Sequence, residues 1–234
     1  MDNKTFNAVY EAISATNKKA DICKQYDITR SKLDWNLNLF LKETEWTKQI
    51  RHQMFLGAIL GDGYFQKTKG GVYKYRESHS VNELEYAKWK YLILQSYHKN
   101  TRIISKNDNT ACEVYTTNSC SAQIKPYVLM SKSEAIQQLN IYGLLFYLLD
   151  DGWCHSKGNF IIGSTLLDNQ QKQEIISKLN DYQISAQLIG KRQDISIDSH
   201  AGIVLLAYLI QIAPTLDMDI IKKKFGLIIT RGIV

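Results

Sequence analysis

The sequence predicts an α+β fold in which a small helical segment precedes two pseudo-symmetric repeats of the order αββαββα. Three observations support this prediction: a short motif occurs twice, strand and helix patterns follow both copies in the same order, and two short helical patterns precede the first copy. The predicted divisions are a helical segment over residues 1–48, a first repeat over 49–140 and a second repeat over 141–234.

The composition is typical of a globular protein that folds without covalent cross-links. The chain has 234 residues, of which 44% are hydrophobic, so a substantial core can form. Its four cysteines form no CxxC pair or zinc-spaced cluster, and no secretory leader or long apolar span is recognisable. We therefore expect a soluble protein of a reducing cytoplasm with no membrane partner. The net charge of +6 fits a polyanion partner about as well as it fits a basic protein without one.

The helical segment contains the stretch ICKQYDITRSKLDWNL at residues 22–37. Apolar residues recur at one-turn spacing on both sides of a break at Asp27, and Thr29 is placed to cap the second helix. This order resembles the helix-turn-helix of DNA-binding regulators, with aspartate where the turn usually has glycine. The residues near a DNA groove would then be Arg30, Ser31, Lys32, Asp34 and Asn36. A helical hairpin that only packs on the main domain is the alternative.

The repeated motif is LGAILGDGYF at residues 56–65 and LLFYLLDDGW at residues 144–153. Each copy is an apolar helix that ends in Asp-Gly and an aromatic residue. Each is followed by a strand pattern, a helix, a hairpin pattern, a closing helix and a basic cluster. Two such repeats give the chain an approximate twofold symmetry. Duplex DNA has a similar approximate twofold symmetry and is therefore a suitable target.

The motif acids, Asp62 and Asp151, lie where a helix is least favourable for a carboxylate. Unpaired carbonyls and the negative end of the helix dipole cost a carboxylate there a few tenths to about 1 kcal/mol. Two such helices that meet would double this cost, and a divalent cation would remove it, since Mg²⁺ prefers carboxylate, carbonyl, water and phosphate oxygens. Gly57 and Gly61 would let the two helices pack closely. The alternative is a pair of structural acids at a degenerate interface.

These residues resemble the single-chain, two-motif form of the LAGLIDADG homing endonuclease family, whose nine-residue motif falls on Phe55 to Gly63 and on Leu144 to Gly152. The resemblance implies an enzyme that cuts both strands of a long DNA site, pseudo-palindromic or asymmetric, and leaves short 3′ overhangs. It implies Mg²⁺, with Mn²⁺ as a substitute, held by Asp62 and Asp151. Gly61 and Asp150 precede these acids and complete the expected metal site, although the family usually has a small residue at the place of Asp150.

The resemblance also implies that four-stranded antiparallel sheets form a saddle whose strands read the major groove. The expected strands are 64–68, 72–80, 101–107 and 112–119, then 153–165, 185–191 and 193–199. In the last strand, alternation predicts a polar face that meets the DNA against an apolar face of Ile195 and Ile197. In 72–80, the sequence leaves open which alternating set faces outward. The expected DNA contacts are Lys67, Lys74, Arg76, Ser78, Lys191, Arg192, Asp194, Ser196 and Asp198.

Two lysines match the basic residues that the family places near its metals. These are Lys132 in MSKSE and Lys224 in KKKFG, with Lys222 and Lys223 as rivals of Lys224. They would orient water or offset the charge of the phosphate. Simple attraction of the DNA backbone is the alternative role. The glutamine that relatives often carry is replaced here by Ser78, for which Arg76 or His79 could substitute.

Three functions are compatible with this resemblance. The first is a monomeric DNA endonuclease encoded by a mobile intron or a freestanding mobile gene, located in the cytoplasm or in the organelle or phage-infected cell that carries the gene. The second is a maturase that binds intron RNA, and the third is a regulator that binds DNA without cutting it. Both motif acids are present, which favours the endonuclease.

Overall fold

The structure is a computed structural model that describes residues 2–14, 18–41, 45–95, 101–106, 110–116, 118–155 and 159–212. The helices are α1 (Asn3–Ser14), α2 (Lys19–Gln25), α3 (Arg30–Leu41), α4 (Glu45–Leu60), α5 (Leu84–Gln95), α6 (Ser121–Leu129), α7 (Lys132–Gln138), α8 (Ile141–Asp151), α9 (Asn169–Asp181) and α10 (Ser199–Ile212). The strands are β1 (Tyr64–Lys67), β2 (Tyr73–Ser80), β3 (Thr101–Lys106), β4 (Ala111–Thr116), β5 (Gly152–Cys154), β6 (Phe160–Ile162), β7 (Ala186–Ile189) and β8 (Asp194–Ile197).

Helices α2 and α3 are joined by a turn at the position predicted from the sequence, and α1 precedes them. Thr29 caps α3 by accepting a hydrogen bond from the Lys32 amide at 3.2 Å. Asp27 adopts the left-handed conformation, with φ of 50°, at the turn between α2 and α3. Leu33 and Leu37 are buried, and α1 packs against both α3 and α5. The segment is therefore attached to the first repeat through α5.

Two sheets of identical topology follow, one in each repeat. The strand orders are β1-β2-β4-β3 and β5-β6-β8-β7, and every neighbouring pair is antiparallel. Each sheet is preceded by a motif helix, α4 or α8, and carries a helix, α5 or α9, between its two hairpins. The predicted α+β fold with two similar repeats is thereby confirmed.

The strand predicted over 153–165 is wrong, because this segment forms two strands. β5 and β6 pair as a hairpin, and the His155 amide donates to the Asn159 carbonyl at 2.8 Å within the connection. The residues between the strands are HSKGN, a polar and glycine-containing composition typical of a turn. The corrected pattern gives the second sheet the same four strands as the first.

The two repeats meet along α4 and α8, whose backbones approach closely. A Cβ atom added at Gly57 would lie 2.7 Å from the Phe146 Cβ and 2.8 Å from the Gly143 carbonyl oxygen. A Cβ at Gly61 would lie 2.7 Å from the Cβ of Asp150. Glycine is therefore required at both positions for the helices to pack at this distance, as the sequence predicts.

We expect Gly57→Ala to lower the free energy of unfolding by about 1–3 kcal/mol, since an added methyl group must separate the two helices. The better helix propensity of alanine offsets up to about 1 kcal/mol of this loss. Urea denaturation would measure it. Gly70→Ala is the matched control, because among the described residues, its two chain neighbours aside, no atom lies within 4 Å of a Cβ at Gly70. Equal stabilities of the two variants would contradict the close packing of α4 and α8.

The described part of the chain contains no helix that is long and apolar enough to span a membrane. All four cysteines, Cys23, Cys112, Cys120 and Cys154, are free thiols.

Candidate functional site

The motif acids lie at helix ends that touch each other. Asp62 follows the end of α4, and the helix is closed by hydrogen bonds from the Gly61 amide to Gly57 and from the Gly63 amide to Ala58. Asp151 is the last residue of α8. The helix ends are in contact where Gly61 packs against Asp150. Asp62 directly follows Gly61, and Asp151 directly follows Asp150. The carboxyl-terminal ends of both motif helices thus meet in one region.

Asp62 opens onto a cleft of about 390 Å³ on the first repeat. Partial burial raises the pKa of the Asp62 carboxyl, and the negative charge of Glu77 raises it further, whereas His79 and Lys90 lower it. The ionised carboxylate is therefore destabilised here, and a bound cation would stabilise it. The other residues that line the cleft are Tyr64, Arg76, Glu77, Ser78 and Glu113.

Lys132, one of the two lysines predicted to serve the active site, lies close enough to Asp151 for their charges to interact. Lys132 is the first residue of α7, and a capping box of Ser131 and Glu134 fixes the start of that helix. Its Nζ donates to the Leu166 carbonyl at 3.1 Å. Burial lowers the pKa of Lys132, and the charge of Asp151 raises it in part. The charge of Asp151 thus acts on Lys132, whereas Lys222, Lys223 and Lys224 lie outside the described residues.

Asp150 faces the interior of the first repeat and is buried. Its Oδ1 accepts hydrogen bonds from the Tyr86 hydroxyl at 2.6 Å and from Lys90 Nζ at 2.5 Å. Its Oδ2 is buried and has no hydrogen-bond partner among the residues that the structure describes. A role of Asp150 as a metal ligand stays a prediction.

Within the described ranges, no group of three or more His, Cys, Asp or Glu residues is arranged to hold a metal ion. A cation at the motif acids would therefore need ligands from water or from a bound phosphate.

Lys90 and Asp150 belong to a buried charge network that also contains Glu77 and His79. Lys90 Nζ and the Tyr75 hydroxyl donate to Glu77, and His79 Nε2 lies 2.5 Å from Glu77 Oε1. Burial would raise the pKa of Glu77, but Lys90 and His79 hold it below its usual range. Burial, opposed by Lys90, raises the pKa of Asp150 to about 7. At Glu77, His79 and Lys90 the neighbouring opposite charges outweigh burial and favour the charged form, whereas at Asp150 burial outweighs the charge of Lys90.

The pKa shift of His79 predicts how the stability of the protein depends on pH. Burial would lower this pKa, but the carboxylates of Glu77 and Glu83, which lie 2.5 and 3.8 Å from the ring nitrogens, raise it to about 9. A raised histidine pKa stabilises the fold fully below the unfolded value of about 6.5, and this stabilisation is lost as the pH rises through about 9. We expect a loss on the order of 3 kcal/mol between pH 6 and 10.

The variant His79→Gln isolates this effect, because a glutamine side chain does not take up a proton in this pH range. Its stability relative to the wild type should be lowest near pH 6 and should approach the wild-type value by pH 10. Urea denaturation at several pH values would measure the difference. A difference that does not change with pH would show that His79 is neutral in the folded protein.

The outward face of the first sheet is settled by burial. On β2, Arg76, Ser78 and Ser80 are exposed, whereas Tyr75, Glu77 and His79 are buried. Lys74, on the outward set, is half-buried, and Lys67 is exposed on β1. The Arg76 guanidinium lies 4.7 Å from the ring centre of Tyr64, and Ser78 Oγ donates to Glu113 at 3.4 Å. This face presents cations and hydrogen-bonding groups beside Asp62.

The polar face predicted for the second sheet differs from the observed one. Ser196 is only 2% exposed, and Asp194 is half-buried, where it accepts from the Ser164 amide at 3.4 Å. Asp198 lies beyond β8 and caps α10 by accepting from the Ala201 amide at 2.8 Å. Alternation identifies which residues share a face, but it cannot show that neighbouring side chains cover that face. DNA contact by these three residues stays a prediction.

The remaining candidate cations are exposed. Lys191 and Arg192 lie in the turn between β7 and β8. On α3, Arg30 Nε lies 2.9 Å from Asp34 Oδ2, and Lys32 Nζ lies 2.9 Å from Asp2 Oδ2. These pairs are at the surface, so they are weak and can be exchanged for phosphate contacts.

The buried charge network is not evident from the sequence. In YKYRESHS, both alternating sets of residues contain polar or charged side chains, so the pattern does not reveal that Glu77 and His79 face inward. A lysine within the apolar helix stretch WKYLIL is the one signal of a buried charge.

Comparison with known proteins identifies the family. The model of the LAGLIDADG DNA endonuclease family matches residues 52–202. No curated protein matches the chain. The homing endonuclease I-WcaI, bound to its DNA recognition sequence, is 12% identical with a TM-score of 0.54, over 96% of this chain and 98% of that chain.

Two further solved structures are similar at lower TM-scores. The homing endonuclease I-DmoI in complex with DNA and Mn is 18% identical, with a TM-score of 0.43, over 72% of this chain and 96% of that chain. Full-length DUF199/WhiA from Thermatoga maritima is 12% identical, with a TM-score of 0.46, over 82% of this chain and 63% of that chain.

The similarity to I-WcaI shows a shared fold, and the family match covers more than half of the chain, including both motif acids and both sheets. The chain belongs to the LAGLIDADG DNA endonuclease family.

Proposed function

We propose that this protein is a site-specific DNA endonuclease that hydrolyses one phosphodiester bond in each strand of a long duplex site. The observation that carries the proposal is the contact between the ends of the two motif helices at Gly61 and Asp150, each of which immediately precedes a motif acid, Asp62 or Asp151. These ends lie next to a sheet face that presents cationic and hydrogen-bonding side chains. The arrangement suits a polyanionic substrate that crosses both halves of one chain.

Binding would begin with the phosphate backbone. Exposed cations on both repeats, Lys67 and Arg76 in the first and Lys191 and Arg192 in the second, would contact phosphates and, in the case of arginine, guanine edges. Ser78, which is exposed on the first sheet, can donate to and accept from base edges. The net charge of +6 increases the rate of encounter with DNA.

Asp62 and Asp151 would hold the divalent cations, Mg²⁺ with Mn²⁺ as a substitute. The fit rests on their hard carboxylate oxygens and on the pKa of Asp62, which is raised by partial burial and by the negative charge of Glu77, so that a cation would stabilise the ionised form. A bound cation supplies an activated water and charge stabilisation for the leaving oxygen. Each residue would remain ionised during the reaction.

Lys132 would act on the charge of the phosphate. Its ammonium group lies near Asp151 and is half-buried, so its attraction for a developing negative charge is less screened than at the open surface. Arg76 is placed to orient the phosphate or the bound water near Asp62. Because both acids belong to a single chain, we propose that the protein acts as a monomer.

The test is cleavage of a randomised duplex library by the purified protein in Mg²⁺, with Ca²⁺ as the metal control and sequencing of the cut ends. Cuts with 3′ overhangs at one extended sequence, in Mg²⁺ alone, are the expected result. Selective DNA binding without cutting would indicate a regulator, and selective binding of structured intron RNA would indicate a maturase. Either result, obtained with folded protein, would contradict the proposed endonuclease function.

We also propose that α3 extends the DNA contact beyond the sheets. Arg30 and Lys32 are exposed on this helix, as is Trp35, at 64%. The double variant Arg30→Ala/Lys32→Ala should shorten the nuclease footprint and weaken DNA binding by about tenfold, since each lost phosphate contact removes counterion release. Metal-dependent cutting of the bound site should persist. Lys18→Ala/Lys24→Ala, two exposed lysines on the preceding segment, is the matched control. An unchanged footprint would mean that α3 packs on the rest of the protein and does not contact DNA.

A further inference from the structure

The buried charge network links the two repeats at one place, the last turn of α8. Glu77, His79 and Lys90 belong to the first repeat, and Asp150 is the member that comes from the second. Lys90 is 0% exposed, donates to Asp150 at 2.5 Å and also donates to Glu77. Asp150 directly precedes Asp151, so contacts that hold the Asp150 side chain also restrict the backbone position of Asp151.

We propose that the Lys90–Asp150 pair is a positioning pair. It fixes the rotation of the last turn of α8 about the helix axis and its position along that axis, and thereby holds Asp151 in register with Asp62. Neither Lys90 nor Asp150 needs to touch the substrate in this role. The inference rests on the proposed endonuclease function, because it assigns the pair to the geometry of the two acids.

The helix interface needs such a constraint at this end. At the start of α8, Gln53 provides one, since its Nε2 donates to the Gln138 carbonyl at 3.1 Å and its Oε1 accepts from the Asn140 amide at 2.8 Å. At the other end, Gly61 contributes no side chain. A shift of α8 by one residue would move Asp151 by about 1.5 Å and rotate it by about 100°. Misplacement of about 1 Å can cost 100-fold in rate.

Stability alone does not explain a buried ion pair at this position. Apolar residues of similar volume are often as stabilising as a buried pair, whose best-supported role is to specify register. The hydrogen bonds here allow one arrangement: Asp150 Oδ1 accepts from both Lys90 and the Tyr86 hydroxyl, and Lys90 Nζ lies 4.7 Å from the centre of the Tyr86 ring. A displaced α8 would leave these buried groups unpaired.

The positioning pair acts on one acid only. The buried lysine of the second repeat, Lys172 on α9, donates to the Arg192 carbonyl at 3.0 Å and so stays within its own repeat. In the first motif, glycine occupies the place of Asp150. Loss of the pair should therefore disturb Asp151 more than Asp62, and the strand served by Asp151 should be cut more slowly than the other strand.

The experiment compares four proteins on a supercoiled plasmid that carries the cleavage site, under single-turnover conditions in Mg²⁺. They are the wild type, an apolar pair (Lys90→Met/Asp150→Leu), an amide pair (Lys90→Gln/Asp150→Asn) and the control Ile175→Ala. Ile175 is a buried residue of α9, so its truncation lowers stability without touching the positioning pair. DNA affinity is measured in Ca²⁺, and amide hydrogen exchange reports on the last turn of α8.

We expect the apolar pair to bind DNA like the wild type, to cut about 10- to 100-fold more slowly and to accumulate nicked plasmid. Exchange in the last turn of α8 should be faster in this variant and unchanged in Ile175→Ala, which should cut at the wild-type rate. The amide pair, which keeps hydrogen-bonding groups at both positions without the charges, should recover most of the cutting rate and of the exchange protection.

An apolar pair that cuts both strands at the wild-type rate would overturn the proposal, as would an amide pair that is as slow as the apolar pair. If the apolar pair does not fold, the amide pair decides alone: a rate near that of the wild type supports positioning, and a tenfold loss contradicts it. A wild type that cuts no plasmid would refute the endonuclease. The exchange protection of α8 in the amide pair would then still decide whether the pair positions this helix.

Discussion

Asp62→Asn is expected to reduce the rate of DNA cleavage by about 1,000-fold or more, because a neutral amide binds a divalent cation far more weakly than a carboxylate does. The affinity for DNA should be unchanged or higher, since the substitution removes a negative charge from the cleft that we propose to face phosphates. Single-turnover cleavage and equilibrium binding of the same duplex, measured in parallel, separate these two effects.

The same variant should be at least as stable as the wild type. The pKa of Asp62 is raised by burial and by Glu77, so the folded state disfavours the ionised form that is present at neutral pH. Asparagine removes this unfavourable charge. Asp181→Asn, at an exposed position on α9, serves as the control and should change neither cleavage nor stability. Cleavage by Asp62→Asn at the wild-type rate would exclude Asp62 from the metal site.

Lys90→Met is expected to lower the free energy of unfolding by about 3–5 kcal/mol, the largest stability effect predicted for this chain. Lys90 is 0% exposed and donates to both Glu77 and Asp150, so its loss leaves two buried carboxylates with less compensating charge. Protonation of Asp150, whose pKa is already raised to about 7, would relieve part of the cost. The destabilisation should therefore be larger at pH 8 than at pH 6.

Urea denaturation at both pH values measures this change. Lys24→Met provides the comparison, because Lys24 is exposed on α2 and its replacement should change stability by less than about 0.5 kcal/mol. A similarly small effect of Lys90→Met would mean that the network does not hold its charges in the folded protein.

Much of the fold is predictable from the sequence because it is repeated. The two motifs, each with an acid at the end of an apolar helix, are sufficient to predict the helix pair and the pseudo-symmetry. Gly57 and Gly61 predict the close approach of α4 and α8, and Asp27 and Thr29 predict the turn that precedes α3. These are local features whose physical requirements are met by a few adjacent residues.

The rest depends on contacts between segments that are distant in sequence. The pairing of Lys90 with Asp150 spans 60 positions, and no periodicity within α5 or α8 indicates it. The burial of Ser196 reflects coverage of β8 by its neighbours rather than its own alternation. The hairpin of β5 and β6 was predicted as one strand because apolar residues occur on both sides of the turn, although the polar residues of the turn are visible in the sequence.

The contact of Gly61 with Asp150 has a consequence for how such a molecule can evolve. In a homodimer with twofold symmetry, the same residue would face itself across the axis, so the choice would be two glycines that leave a gap or two aspartates that repel each other. Covalent fusion of the halves removes this restriction, and each side of the interface can then change independently. Single-chain architecture thereby allows the halves to diverge towards an asymmetric target while the junction between them stays closely packed.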